Sequence, residues 1–150
     1  MRVTKVYIDT SALAKYYFLE KNSQEVESYL TLKYQHDAKS LVISSLSKLE
    51  FDCAINRKLR SKQIDESYQQ SVADLFLQHV KQGLYTDLRV DDICYELARK
   101  LIAQVPYAMR SLDALHLAIA RHANIVELIT ADKVMAESAK NLNFNVQYFE

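Results

Sequence analysis

Glycine is almost missing from this 150-residue sequence, with Gly83 the single one. Phosphate cradles of the GxGxxG and GxxxxGK(S/T) kinds need several glycines to let backbone amides approach phosphate. A Rossmann or P-loop site is therefore excluded, and no nucleotide cofactor is expected. Proline is equally scarce, with Pro106 alone, and no Pro-, Gly- or Ser-rich linker or internal repeat divides the chain, so a single domain over 1–150 is expected. The two cysteines, Cys53 and Cys94, form no CxxC and have no histidine at zinc-finger spacing. A reduced, cytoplasmic protein is the easier reading. No secretory h-region or 18-residue apolar run stands out, so no membrane partner is expected. Charge of either sign is also lacking in excess, because 19 basic and 19 acidic residues cancel. A nucleic-acid partner would have to be met by a local basic patch or through a metal.

What is present is a regular alternation of strand and helix signals. Val6-Tyr7-Ile8 has the composition of a strand buried on both faces, and it ends at Asp9, followed by Thr10, Ser11 and a helix-like Ala12-Leu13-Ala14-Lys15. The carboxyl end of a buried parallel strand is where open α/β sheets bind ligands, so Asp9 is a site candidate on position alone. A helix is expected over 11–19, and a second places Val26, Tyr29, Leu30 and Lys33 at helical spacing. Strand 41–43 leads to a helix opened by Ser47 that carries Phe51, Ile55 and Leu59 to about residue 60. A helix from 64 puts Ile64, Tyr68, Val72, Leu75 and Phe76 on one stripe and ends at Gly83 as a C-cap.

Residues 85–90 read as a strand. Asp91 or Asp92 then caps a helix with Ile93, Leu97, Ala98, Leu101 and Ile102 inward, closed by Pro106. The run 110–120 is apolar nearly all round and predicts a buried helix. Strand 126–130, a helix through 139 and a weak strand at 145–148 complete the chain. Strands separated by helices throughout predict parallel crossovers and helices on both faces of the sheet, an α/β class.

Four acids share one address in this scheme. Asp9 and Asp132 close strands, while Glu50 and Asp113 lie in the first turns of helices opened by Ser47 and Ser111. Aligned strand ends would bring them to one rim, where two carboxylates about 5 Å apart repel by roughly 3 kcal/mol at an effective dielectric near 20. A cation or proton must offset that. Oxygen ligands without His or Cys point to Mg²⁺ or Mn²⁺, suited to activating water against a phosphodiester. Each acid also has a plainer reading. Ser47 to Glu50 fits a capping box, Asp113 favours a helix dipole, Asp132 suits a turn, and Asp9 could cap its own helix.

The motifs Asp9-Thr10-Ser11-Ala12-Leu13, Arg110-Ser111-Leu112-Asp113-Ala114-Leu115-His116-Leu117-Ala118 and Thr130-Ala131-Asp132-Lys133, with an acid in the Ser47 to Glu50 helix, resemble the PIN-domain ribonucleases, and among them the VapC toxins of toxin–antitoxin pairs. The resemblance spans essentially the whole chain. It implies a three-layer α/β/α fold with a mainly parallel five-stranded sheet, and Mg²⁺- or Mn²⁺-dependent endoribonuclease activity. It carries the acidic quartet over to Asp9, Glu50, Asp113 and Asp132 as catalytic and metal-binding residues. It further implies an RNA substrate, a homodimer, and a small cognate antitoxin whose tail enters the acidic site. One departure is that the glycine common before the last strand of the family is replaced by Asn143, which tolerates the left-handed conformation.

Ser11 and Thr130 are candidates for orienting the carboxylates, with Thr10 beside them. His116 reads as a hydrogen-bonded core histidine in preference to a catalytic base. Arg110 could contact RNA phosphate or pair with a carboxylate. Arg57, Lys58, Arg60 and Lys62 form the densest basic run and are candidate RNA contacts, although basic residues at a helix C-terminus also suit the dipole. Two other functions compete with the nuclease: an RNA- or protein-binding module that does not cut, and a receiver-like phosphoryl-transfer domain. The latter is disfavoured because no acid ends strand 41–43, taken here as the middle strand.

Overall fold

The structure, a computed structural model, describes residues 5–150. Among these the chain forms β1 (Val6–Ile8), α1 (Thr10–Tyr17), α2 (Ser23–His36), β2 (Leu41–Ser44), α3 (Ser45–Arg60), α4 (Glu66–Lys81), β3 (Thr86–Leu88), α5 (Asp92–Gln104), α6 (Ser111–His122), β4 (Glu127–Thr130), α7 (Lys133–Asn141) and β5 (Asn145–Tyr148). All strand pairs are parallel, in the order β3-β2-β1-β4-β5. The middle strand is therefore β1, which ends at Asp9, and not β2. The expectation for 41–43 was wrong because crossovers, not sequence order, set the position of a strand in a parallel sheet.

The two faces of the sheet split the core by the two-residue period of a strand. Tyr7, Val42 and Leu128 point to one side and pack with Cys94, Ala98 and Leu101 of α5, the apolar run of α6, and Met135 and Ala139 of α7. Val6, Ile8, Ile43 and Ile129 point to the other and pack with Leu13, Val26, Phe51, Ile55, Val72 and Phe76 from α1 to α4. Three layers result, α/β/α, with β1 fully enclosed. Each large apolar side chain taken out of water in this way contributes about 1.5–3 kcal/mol before entropy is counted. No helix among the described residues is long and apolar enough to cross a membrane.

Helix starts differ from the sequence reading in ways that matter for the site. The N-cap of α3 is Ser44, in extended backbone, and the capping box joins Ser44 to Ser47: Ser44 N donates to Ser47 Oγ at 3.0 Å. Glu50 is thus free of any capping box and sits in the second turn, not the first. In α6 the N-cap is Arg110, not Ser111, which leaves Asp113 as the third helical residue. Asp91 caps α5 through Cys94 N. Its inward stripe is Cys94, Ala98 and Leu101, while Ile93 and Ile102 face solvent. In α4 only Val72 and Phe76 of the expected stripe are buried.

Four helices end in the same way, and only one of them uses the glycine that usually does it. Lys62, Gly83, Asn124 and Asn143 all have positive φ, between 59° and 77°. After α7, Phe144 N reaches back to Ala139 O at 2.9 Å and Asn143 N to Lys140 O at 3.1 Å, the paired bonds of a Schellman motif. Asn143 fills the left-handed position that the family gives to glycine. Lys62 does the same after α3, with Gln63 N on Lys58 O, so the backbone gives it a role independent of RNA.

Candidate active site

Asp9 leaves β1 at the N-cap position of α1, yet its side chain does not cap the helix. Its Oδ2 accepts from Ser11 Oγ at 2.7 Å and from Thr130 Oγ1 at 2.8 Å. The same hydroxyls take the next backbone amides: Ala131 N donates to Ser11 Oγ at 2.9 Å and Asp132 N to Thr130 Oγ1 at 3.0 Å. The start of α1 is thereby laced to the end of β4. Asp132 follows as the N-cap of α7, with Oδ1 accepting from Met135 N at 3.0 Å.

Glu50 comes from α3. Its Oε1 accepts from Thr10 Oγ1 at 2.8 Å and is hydrogen-bonded to His116 Nε2. Burial pushes the Glu50 carboxyl up, but the hydrogen bond and charge of His116, with Thr10 and Arg110 behind them, outweigh it and hold the group below its ordinary value. His116 shows the matching shift. Burial disfavours its charged ring, and Glu50, Asp9 and Asp113 together raise its pKa. The histidine is fully buried, as the sequence suggested, and it is also bonded to a candidate ligand, which no spacing rule could show.

Asp113 has the opposite problem. Burial and the charges of Asp9 and Asp132 push its carboxyl up to about 6, against the pull of Arg110. Arg110 lies 3.6 Å from Asp113 and 3.5 Å from Asp132, with 78 % of its side chain exposed. Of the two roles considered for Arg110, the structure shows the carboxylate pair.

All four acids line one cleft of about 900 Å³, together with Thr10, Ser11 and Arg110. The cleft continues along α1 and α3 to Lys15, Arg57, Lys58 and Gln63. Arg60 and Lys62 are not part of its lining. Lys58 is already engaged, 3.0 Å from Glu20 and over the Phe18 ring, and Lys15 lies 3.8 Å from the same Glu20. The Lys15–Glu20–Lys58 bridge was not anticipated, although Lys15 follows Ser11 at i+4 and so shares its helix face.

Among the described residues, no three Asp, Glu, His or Cys side chains stand close enough to enclose an ion unaided. The donor chemistry nevertheless fits Mg²⁺ or Mn²⁺. The set is all oxygen, its charge is excess, and these ions keep several waters rather than demanding a protein cage. In both Asp9 and Glu50, two partners converge on one carboxylate oxygen, and the other is left able to meet a cation.

The PIN domain family model matches residues 6–141, and the chain belongs to this family. Within it, the chain is homologous to the VapC ribonucleases: it is 30% identical over 143 residues to Ribonuclease VapC46 of Mycobacterium tuberculosis, covering 94% of this chain and 95% of that one. Among solved structures, VapBC2 of Rickettsia felis, bound to a DNA fragment from its promoter, superposes with a TM-score of 0.70 at 16% identity over 98% of this chain and 100% of that one. Mycobacterium tuberculosis VapC20, a sarcin–ricin loop cleaving toxin, gives 0.66 at 14% identity, covering 89% and 95%. At those identities the two structures bear on the fold alone.

Proposed function

We propose that this protein is an endoribonuclease that hydrolyses RNA phosphodiesters with Mg²⁺ or Mn²⁺ held at Asp9, Glu50, Asp113 and Asp132, and that it is the toxin of a toxin–antitoxin pair acting in the cytoplasm. The observation that carries this is the meeting of four carboxylates in one cleft, with Arg110 paired to two of them, in a homologue of a VapC ribonuclease. A bound ion would supply a Lewis acid that activates water towards phosphorus and offsets charge on the leaving oxygen.

The chain's own residues do the rest. Ser11 and Thr130 fix Asp9 by one oxygen, and Thr10 with His116 fixes Glu50. Arg110 holds Asp113 and Asp132 and becomes available to phosphate when a cation takes those carboxylates. Arg57 and Lys58, two turns beyond Glu50 on α3, suit flanking phosphates, and Arg60 and Lys62 extend that basic edge. A cognate antitoxin that covers the cleft would silence it. The family resemblance implies a homodimer, and Tyr95 and Ile102, exposed one heptad apart on α5, offer apolar surface to a second copy.

Incubating the purified protein with total RNA and Mn²⁺, with and without EDTA, tests the proposal. Discrete cleavage with Mn²⁺ that stops in EDTA is expected. Cleavage undiminished in EDTA would remove the metal from the scheme, and intact RNA under both conditions would remove the activity.

A further inference from the structure

Tyr7 is the middle residue of the central strand and is fully buried, yet its ring carries a hydroxyl into the core. That hydroxyl lies 2.8 Å from Ser44 Oγ and 2.7 Å from His116 Nδ1. His116, also fully buried, passes from Tyr7 on one ring nitrogen to Glu50 Oε1 on the other. Side chains from β2, β1, α6 and α3 thus stand in one hydrogen-bonded row, Ser44–Tyr7–His116–Glu50. Packing alone would be served by apolar side chains of the same shape, which carry no polar atoms to satisfy.

The row has a fixed end. Ser44 caps α3, and its Oγ takes the Ser47 amide in the capping box. At the other end, Nε2 presents its proton to Glu50 whether the ring is neutral or charged. Tyr7 is donor to a neutral ring and acceptor from a charged one, and holds Nδ1 in either case. His116 and Thr10 both bond to Oε1 of Glu50.

We propose that Tyr7 and His116 are positioning residues for ion binding: the row anchored at the N-cap of α3 grips Glu50 by Oε1 and holds Oε2 out as the oxygen that meets the ion. This rests on the reading of Glu50 as a metal ligand. Partners standing behind a ligand set its orientation, and their loss costs about 10–100-fold in metal affinity.

The test is Mn²⁺ affinity, read by electron paramagnetic resonance of the free ion well below the melting temperature, with RNA cleavage followed across Mn²⁺ concentration. Tyr7→Phe removes one oxygen and keeps the ring. It is expected to weaken Mn²⁺ binding about tenfold, with cleavage largely recovered at saturating Mn²⁺. His116→Leu should weaken binding at least as much, and Tyr7→Phe added to it should do nothing further. His116→Gln, whose amide N–H can replace Nε2, should restore part of the affinity. Should Tyr7→Phe not fold, the two His116 variants carry the test between them. Variants that melt earlier but bind Mn²⁺ like the parent would overturn the inference and leave a structural role. Glu50→Gln separates the two levels. If it weakens Mn²⁺ binding and the Tyr7 and His116 variants do not, only this inference falls. If it binds like the parent, Glu50 is no ligand and the proposed site itself fails.

Discussion

Strand β4 carries a buried acid at its start and runs into the acidic cleft at its end, and the two poles treat negative charge in opposite ways. At the start, Glu127 is 9 % exposed, takes the Lys33 ammonium at 2.7 Å and accepts a hydrogen bond from Tyr29. Lys33 also lies over the Tyr29 ring, 5.7 Å from its centre. The carboxylate and the ammonium meet where both are largely buried. At the end, four carboxylates face Arg110, whose side chain is mostly in solvent, and the buried His116. Where folding alone needs an acid, the chain supplies its counter-charge locally. Where it leaves the charge in excess, the proposed ion would supply the balance.

Exchanging a single carboxylate for its amide at each pole gives the largest contrast. Glu50→Gln keeps an oxygen for Thr10 and His116, so the protein should fold, while cleavage falls at least about 100-fold, equivalent to roughly 2.7 kcal/mol of barrier. Glu127→Gln should do the reverse. It leaves Lys33 half-buried without its charge partner, at a cost of about 2 kcal/mol, and melting should fall by several degrees with cleavage at low temperature retained. Melting curves and cleavage rates for the two variants decide it. Equal loss of stability at both sites with activity intact would erase the distinction between the poles.

A smaller effect follows from pH. The folded-state pKa of Asp113, pushed up to about 6, lies above its ordinary 3.8, so between these values the folded protein binds more protons than the unfolded chain. Stability must then rise as pH falls through 6, and the gain is complete near 4. His116, with its pKa raised, contributes stability that is fully present below 6.5 and lost at higher pH as its folded pKa is passed. Glu50, with its pKa lowered, contributes stability present above 4.5 and lost below it. Across the window from 6 to 4.5 Asp113 adds stability while His79, whose pKa burial lowers, takes some away, so the difference between the parent and Asp113→Asn isolates Asp113. In EDTA the parent should gain about 1 kcal/mol relative to Asp113→Asn across that window, discounted from the full shift because the group is partly solvated. Asp113→Asn should start higher and lose a little as His79 is protonated. Parent and Asp113→Asn melting temperatures that run parallel over this range would show that Asp113 carries no such strain.

The poles were unequally legible in the sequence. Asp9 and Asp132 could be placed because each closes an apolar run, and a parallel sheet puts such ends on one rim. The buried α6 followed from its apolar surround, and Asn143 from its tolerance of positive φ. The start of α3 did not follow, because Ser44 and Ser47 both satisfy the chemistry of an N-cap and only the path of β2 chooses between them. The place of β1 at the centre depends on crossovers that leave no mark on the residues. The bond between His116 and Glu50 joins positions 66 apart, and Lys33 meets Glu127 across 94. Both are products of packing, and no local period announces them. Ile93 and Ile102 were misplaced because the apolar positions of α5 outnumber those that the core can cover.

The smallest effect concerns the cations of the two poles. Arg110 spans Asp113 and Asp132 at 3.6 and 3.5 Å with 78 % of its side chain exposed, and pairs so exposed contribute about 0–1 kcal/mol. Arg110→Ala should therefore move the melting temperature in EDTA by no more than a degree or two, far less than removal of Lys33 from its largely buried pair. Its effect on metal binding should have the opposite sign from that of every acid variant. With the competing guanidinium gone, Asp113 and Asp132 face an incoming cation unopposed, and Mn²⁺ binding should tighten a fewfold. A cluster kept for folding would respond to the loss of Arg110 by destabilisation alone, whereas one built to exchange one cation for another must bind the second better when the first is taken away.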